Sequence, residues 1–178
     1  MIQNPLFDEV LLFGKPYQKG DWIKIAIHNE KEIKGFFGDY TWLSNFHLCT
    51  VYHNSRIFKS SEHAYMFAKL DLNHYSEAEV EDLYTQVKNM SCKEVKKWGQ
   101  SIVLRKDWET VKYEIMASAI FDKFYRNKDL REKLLQTENR YLEETNWWHD
   151  QYWGVDYQKG GQNNLGKILM KVRGFWQG

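Results

Sequence analysis

Cysteine is scarce in this chain. Of 178 residues only Cys49 and Cys92 carry a thiol, and no C-x-x-C pair occurs. That argues against a disulfide framework or a zinc site and suits a reducing compartment. The six histidines form no H-x-H, H-x-x-x-H or H-E-x-x-H pair, which removes the usual metal motifs as well. With two prolines there is no linker-like stretch, and no repeat or low-complexity segment appears. Charge is balanced, 25 basic against 24 acidic residues, so nothing marks a general binder of phosphate backbones. No apolar run approaches a membrane span, and "MIQNPLFDEVLLFGK" lacks the basic start and cleavage pattern of a signal peptide. The Gly-containing stretches "GKPYQKG" and "GGQNNLGK" lack Walker spacing. These absences lead us to expect a cytoplasmic protein without membrane attachment, cofactor or metal.

Aromatic residues, by contrast, are abundant, at 16% with eight tryptophans. They supply buried area and flat walls for ring-shaped ligands. Isoleucines at 23, 25 and 27 have the period of a strand, and "LCTVYHNSRIFKS" reads as two strands around His53-Asn54-Ser55. Helices follow. Ser60 or Ser61 caps one running to about Leu70, and "SEAEVEDLYTQVKNM" and "SCKEVKKWGQSI" give one each, the latter capped by Ser91. Asp107 stands as N-cap of the strongest helix, whose stripe is Trp108, Val111, Ile115, Ala119 and Ile120. "DLREKLLQT" is a short helix, and a last one opens at Asn163 or Asn164. The whole reads as a mainly helical α+β domain with a small N-terminal sheet. Residues 1–35 form an extension with a strand, and 36–178 one compact unit. Residues 146–164 lack periodicity but hold three tryptophans, His149 and two aspartates, and long aperiodic loops are often functional.

In "FKSSEHAYMFAKL", Glu62, Tyr65, Met66 and Lys69 are spaced i, i+3, i+4 and i+7 and share a helix face. The acid and the amine lie roughly 10 Å apart along the axis, too far for a direct pair but suited to grip a small group between them. The alternative is a solvated helix edge with unrelated charges. Lining a pocket, the glutamate would gain proton affinity and act as an acid, while the lysine would lose it and become a nucleophile. An acid beside an amine suits cleavage at a sugar's anomeric carbon. A second carboxylate is available in Asp150 or Asp156, either of which could instead close an Asx-turn. Trp42, Trp108, Trp147, Trp148 and Trp153 could stack a base, or fill the core.

The blocks "FFGDYTWLSNF", "SSEHAYMFAKL", "DWETVKYEIMASAIFDKFYRN", "LLQT", "HDQYWG" and "GGQNNLGKILMKVR" occur in the order and spacing of the NADAR superfamily. The chain resembles this group of YbiA-like N-glycosidases from about residue 36 to 173. The resemblance implies hydrolysis of an N-glycosidic bond, with Glu62, Lys69 and Asp150 as the catalytic set. Lys69 would attack the anomeric carbon, Glu62 serve as acid and base, and Asp150 bind ribose hydroxyls or act as a second base. Asn45 and Phe46 match a loop lining the sugar pocket, and Trp108 opens the long helix. Trp153 and Gly154 match the W-G pair, and Asn164 and Gly166 the N-x-G turn, all as substrate-binding positions. The implied partner is a nucleotide-sugar, either an ADP-ribosyl adduct of guanine, which brings in ADP-ribosylated nucleic acid, or a phosphoribosylamino-pyrimidine of riboflavin synthesis. A non-catalytic module binding NAD-derived nucleotides is the alternative of another class. Family members usually carry glutamine at the position of Met66, proline at Cys92 and arginine at Gln100. These departures bear on substrate identity, the arginine being suited to a phosphate, and leave the acid–amine–acid set intact.

Overall fold

A computed structural model describes Leu11–Leu12, Lys15–Pro16 and residues 21–178. The rest of the N-terminal extension expected from the sequence lies outside the described residues. Helices dominate an α+β fold, and the chain divides into two compact units: Asn45–Arg131, and the stretch up to Ser44 together with Glu132–Gly178.

The first-and-last unit is built on small sheets. Strands β1 (Leu11–Leu12) and β2 (Lys15–Pro16) pair antiparallel. The alternating isoleucines do not give one strand: Asp21–Lys24 is a 3-10 turn, and only Ile27–His28 (β3) is extended. Ile23 is exposed, so no buried face rewards a longer strand there. Asn29 turns the chain by accepting from the Lys31 and Glu32 amides. Strand β4 (Glu32–Lys34) then lies between β3, antiparallel, and β7 (Tyr141–Glu143), parallel. The fully buried Ile33 and Leu142 face each other in that ladder. Helix α6 (Asn164–Gln177) packs on β7. Its first turn approaches so closely that a Cβ on Gly166 would meet the Leu142 carbonyl at 2.2 Å. Buried Arg173 donates to Thr137 Oγ1 and the Arg140 carbonyl, tying the helix to the chain entering β7.

In the central unit, strands β5 (Val51–His53) and β6 (Arg56–Phe58) form the expected hairpin. Its two turn residues, Asn54 and Ser55, both have positive φ, 47° and 62°, the geometry whose twist suits a two-residue hairpin. Four helices follow: α1 (Ser61–Phe67), α2 (Glu77–Asn89), α3 (Cys92–Trp98) and α4 (Trp108–Arg126). Ser76 and Ser91 each close a capping box, with Glu79 and Glu94. α4 departs from expectation at both its cap and its stripe. The Asp107 carboxylate pairs with Arg105 instead of capping, and the buried positions are Trp108, Met116, Ala119, Ile120, Lys123 and Phe124. Val111 and Ile115 are only half-buried. The face is turned toward Lys123, whose stem is buried and whose ammonium lies over the Phe124 ring, a placement apolar periodicity cannot weigh. Helix α5 (Lys128–Leu135) runs across the boundary between the units.

Every residue of α1 is buried, because α2, α3, α4 and the β5–β6 hairpin all pack against it. A helix enclosed on all sides has no solvated edge. The reading of Glu62 as a surface charge is thereby removed.

Candidate functional site

Ser60 is the N-cap of α1, its hydroxyl accepting from the His63 amide. The His63 ring is clamped at both nitrogens, Nε2 donating to the Met90 carbonyl at 3.0 Å and Nδ1 accepting from the Ser60 hydroxyl at 2.7 Å. Burial lowers its proton affinity, so the imidazole is neutral and serves as a brace. Asn45 anchors the same helix end. Its carbonyl accepts from the Glu62 amide at 3.1 Å, its side-chain oxygen from Ser61, and its amide nitrogen donates to the Met116 sulfur of α4. This frame fixes the backbone of Glu62, which is 4% exposed.

α1 ends earlier than its sequence pattern. Beyond Phe67 the chain continues in tighter turns, Lys69 and Leu70 donating to the carbonyls of Met66 and Phe67. Arg105 donates its amide to the Lys69 carbonyl, Asp71 its own to Val103, and Leu70 bridges Leu104. These bonds bring the start of α4 beside Lys69. Its ammonium stands 5.6 Å from the centre of the Trp108 ring, and Tyr65 packs on the same indole at 4.9 Å. Lys69 is half-buried, and burial holds its proton affinity below that of an ordinary lysine. The Glu62 and Glu109 carboxylates oppose that shift, and the Lys96 charge adds to it. Glu62 and Lys69 therefore feel each other, although α1 ends before Lys69 and the shared helix face expected from their spacing does not extend to it. Phe46, half-buried, lies under the Lys96 ammonium at 5.6 Å, and its carbonyl accepts from the Cys92 thiol. Glu62, Lys69, Trp108, Asn45 and Phe46 thus gather in the central unit. Beside aromatic walls, an amine of reduced proton affinity can attack a polarised carbon while an acid near it gives a proton to the group that leaves.

The remaining expected residues belong to the other unit. The loop after β7 is not structureless: Thr145–Asn146 (β8) pairs in parallel with Val155–Asp156 (β9). Asp150 Oδ1 accepts from the Tyr152 and Trp153 amides at 3.1 and 2.9 Å, and the Asp150 backbone is bracketed by the Asn146 side chain. One carboxylate oxygen therefore closes the turn. Asp156 is fully occupied: Oδ1 accepts from the Gln158 and Lys159 amides, and Oδ2 from His149 Nδ1 at 2.7 Å. Burial raises its proton affinity, but these hydrogen bonds reverse the sign and hold its carboxyl below the usual range. Trp153 is half-buried with its ring 4.8 Å from that of Tyr152. Trp147 is fully buried, and Trp42 and Trp108 nearly so, which leaves Trp148 and Trp153 the more accessible of the five. Gly154 is packed so that a Cβ would meet the Glu144 carbonyl at 2.3 Å. Asn164, buried, donates to the Gln162 side chain. Asn163, at φ 52°, does not cap α6 with its side chain. It joins the Glu144 amide, the Leu142 carbonyl and the Tyr141 hydroxyl instead.

Two features escaped the sequence reading. Lys96 sits 27 residues beyond Lys69 on a different helix, and no local pattern ties them. The His149–Asp156 pair was open to view only as two polar residues in one loop. His149 adopts φ 65°, a left-handed conformation in which histidine is among the commoner non-glycine residues.

Residues 30–175 match the model of the NADAR domain, and the chain belongs to that family. It is similar to N-glycosidase YbiA of Escherichia coli, 32% identical over 139 residues that cover 76% of this chain and 81% of that protein. N-glycosidase Npun_R5314 of Nostoc punctiforme is 47% identical over 70 residues, 39% of this chain and 44% of that protein. Riboflavin biosynthesis protein VVA0006 of Vibrio vulnificus is 32% identical over 137 residues, 76% of this chain and 35% of that protein. The chain thus spans less than half the length of the Nostoc and Vibrio relatives it matches. The NMR structure of E. coli YbiA, 28% identical, has the same fold, with a TM-score of 0.70 over 85% of this chain and 88% of that one. Among the described residues no helix is long and apolar enough to cross a membrane.

Proposed function

We propose that this protein is an N-glycosidase that removes an ADP-ribosyl group from the guanine base to which it is attached. The observation that carries the reading is the state of Lys69, an amine whose proton affinity burial lowers, beside Trp108 and within the field of Glu62. A neutral amine is a nucleophile, and an ammonium is not. In the step we propose, Nζ bonds to the anomeric carbon while the bond from that carbon to the base nitrogen breaks. Glu62 supplies the proton that the leaving nitrogen takes up. Ring opening leaves a protonated Schiff base, which water, deprotonated by Glu62, attacks at the same carbon to release Nζ. Asp150 keeps the ribose-binding or second-base role carried over by its position. The names of the E. coli and Nostoc relatives support the reaction class.

A second reading has its own support. The Vibrio relative and a chloroplastic protein of Arabidopsis thaliana, 38% identical over 76 residues, are both named riboflavin biosynthesis proteins. A phosphoribosylamino-pyrimidine would present the same ribosyl–nitrogen bond to the same residues. A module that only binds nucleotides has less support, since binding alone requires neither an amine of lowered proton affinity nor a buried acid beside it. The test is to incubate the protein with guanine-ADP-ribosylated DNA and with the pyrimidine intermediate, adding borohydride during turnover. We expect release of the ADP-ribosyl group from the DNA, with the guanine left in the strand, and a reduced sugar adduct on Lys69 by mass spectrometry. Release only from the pyrimidine would transfer the assignment to the second reading. Release from neither would leave the binding module.

A further inference from the structure

Two lysines stand at the α1 site. Lys96 of α3 holds its ammonium over the Phe46 ring much as Lys69 holds its own over Trp108. Both are half-buried, and among the described residues no carboxylate pairs directly with either ammonium. Like charges in a partly desolvated place repel, and the arrangement becomes favourable when an anion lies within reach of both. Four other cations of the central unit differ from this pair. Arg56, Arg105, Lys112 and Arg126 each have a carboxylate partner there. The walls are aromatic and the cation is a lysine, which suits a compact, multiply charged group better than a planar carboxylate.

We propose that Lys96 is the phosphate-recognising residue of this site, selecting substrates whose ribosyl group carries a phosphate. The proposal rests on the N-glycosidase reading for the identity of the ligand, though not for the existence of the anion position. Phosphate bound at Lys96 would also act on its neighbour. The charges that bear on Lys69 are Glu62 from α1, Lys96 from α3 and Glu109 from α4. An anion screening Lys96 raises the proton affinity of Lys69, and loss of Lys96 raises it too.

Two measurements on the full chain test this. In the first, kcat and KM are determined for a 5-phosphorylated ribosyl substrate and for its unphosphorylated riboside, with wild type, Lys96→Met and Lys96→Arg. The preference for the phosphorylated substrate should fall about ten- to a hundredfold in Lys96→Met, chiefly through KM, and return in Lys96→Arg. In the second, acetic anhydride labelling of Lys69 is followed by mass spectrometry against pH, with and without inorganic phosphate. Phosphate should move the titration of Lys69 to higher pH in wild type and not in Lys96→Met. An unchanged substrate preference together with a phosphate-insensitive Lys69 overturns the proposal. A protein that cleaves no glycoside but shows the phosphate-dependent shift overturns the N-glycosidase reading and keeps the anion position. One that cleaves both substrates with neither effect does the reverse.

Discussion

Lys69 and Asp156 are both withdrawn from water, and their surroundings resolve that cost in opposite ways. At Asp156 three hydrogen bonds from the Gln158 and Lys159 amides and His149 outweigh burial, so the carboxylate stays charged and its proton affinity falls. At Lys69 the ammonium has the Trp108 face and the field of nearby carboxylates but, among the described residues, no hydrogen-bond partner, so burial prevails and its proton affinity falls. A charge whose bonding capacity is filled is a structural fixture. A charge left to burial has a protonation state that its surroundings can move. The comparison also ranks the loop carboxylates: Asp156 is committed on both oxygens, while the Oδ1 of Asp150 alone closes its turn.

The sharpest break of this contrast is Lys69→Arg. It keeps a positive charge near Trp108 but removes a usable nucleophile, so the borohydride adduct should vanish and turnover fall below detection. An active Lys69→Arg enzyme without adduct in the wild type would make Lys69 a binding residue and Glu62 a plain water-activating base. Next in size is Glu62→Gln, nearly isosteric within the enclosed α1. It should fold normally and lose at least about a hundredfold in the chemical step, the usual share of general acid–base catalysis. Near-normal turnover with unchanged circular dichroism would remove Glu62 from the mechanism.

Smaller effects separate the two aspartates. Asp150→Asn retains an oxygen for the Tyr152 and Trp153 amides, so Tm should hold while kcat/KM drops roughly tenfold through loss of one charged contact to the substrate. Asp156→Ala strands two backbone amides and should cost about 2–4 kcal/mol of stability, read from chemical denaturation. Equal effects of the two on both activity and stability would mean that the assignment of Asp150 over Asp156 is mistaken. The least effect is one of pH. Because the carboxyl of Asp156 is held below its unfolded value, the stability it contributes is present above that value, about 3.9. It is lost as pH falls through the lower, folded one. Denaturation midpoints of wild type should therefore decline below about pH 4 more steeply than those of Asp156→Asn.

Legibility followed the range of the interactions involved. Ser91 declares its helix, and Ser60 or Ser61 the first one, because a cap bonds within three residues of itself. The hairpin at Asn54-Ser55 is equally local. Asp107 had the right type and place for a cap, but Arg105, two residues back, claimed its carboxylate. The isoleucines at 23, 25 and 27 had a strand's period without a partner to bury one face. β8 and β9 were hidden because each is two residues long and their pairing joins positions ten apart.

By itself the sequence determined the family, the helical character with its small sheets, and the helix that carries Glu62. Those follow from residue types at fixed spacings along a single element. Only the tertiary structure decided that this helix is enclosed, that Trp108 and Lys96 join it from α4 and α3, and that Asp156 and Lys69 have opposite electrostatic fates. Proton affinity depends on what surrounds a group in space, and at Lys69 burial and Glu62, seven residues back, are joined by Lys96 and Glu109 from segments 27 and 40 residues further along the chain.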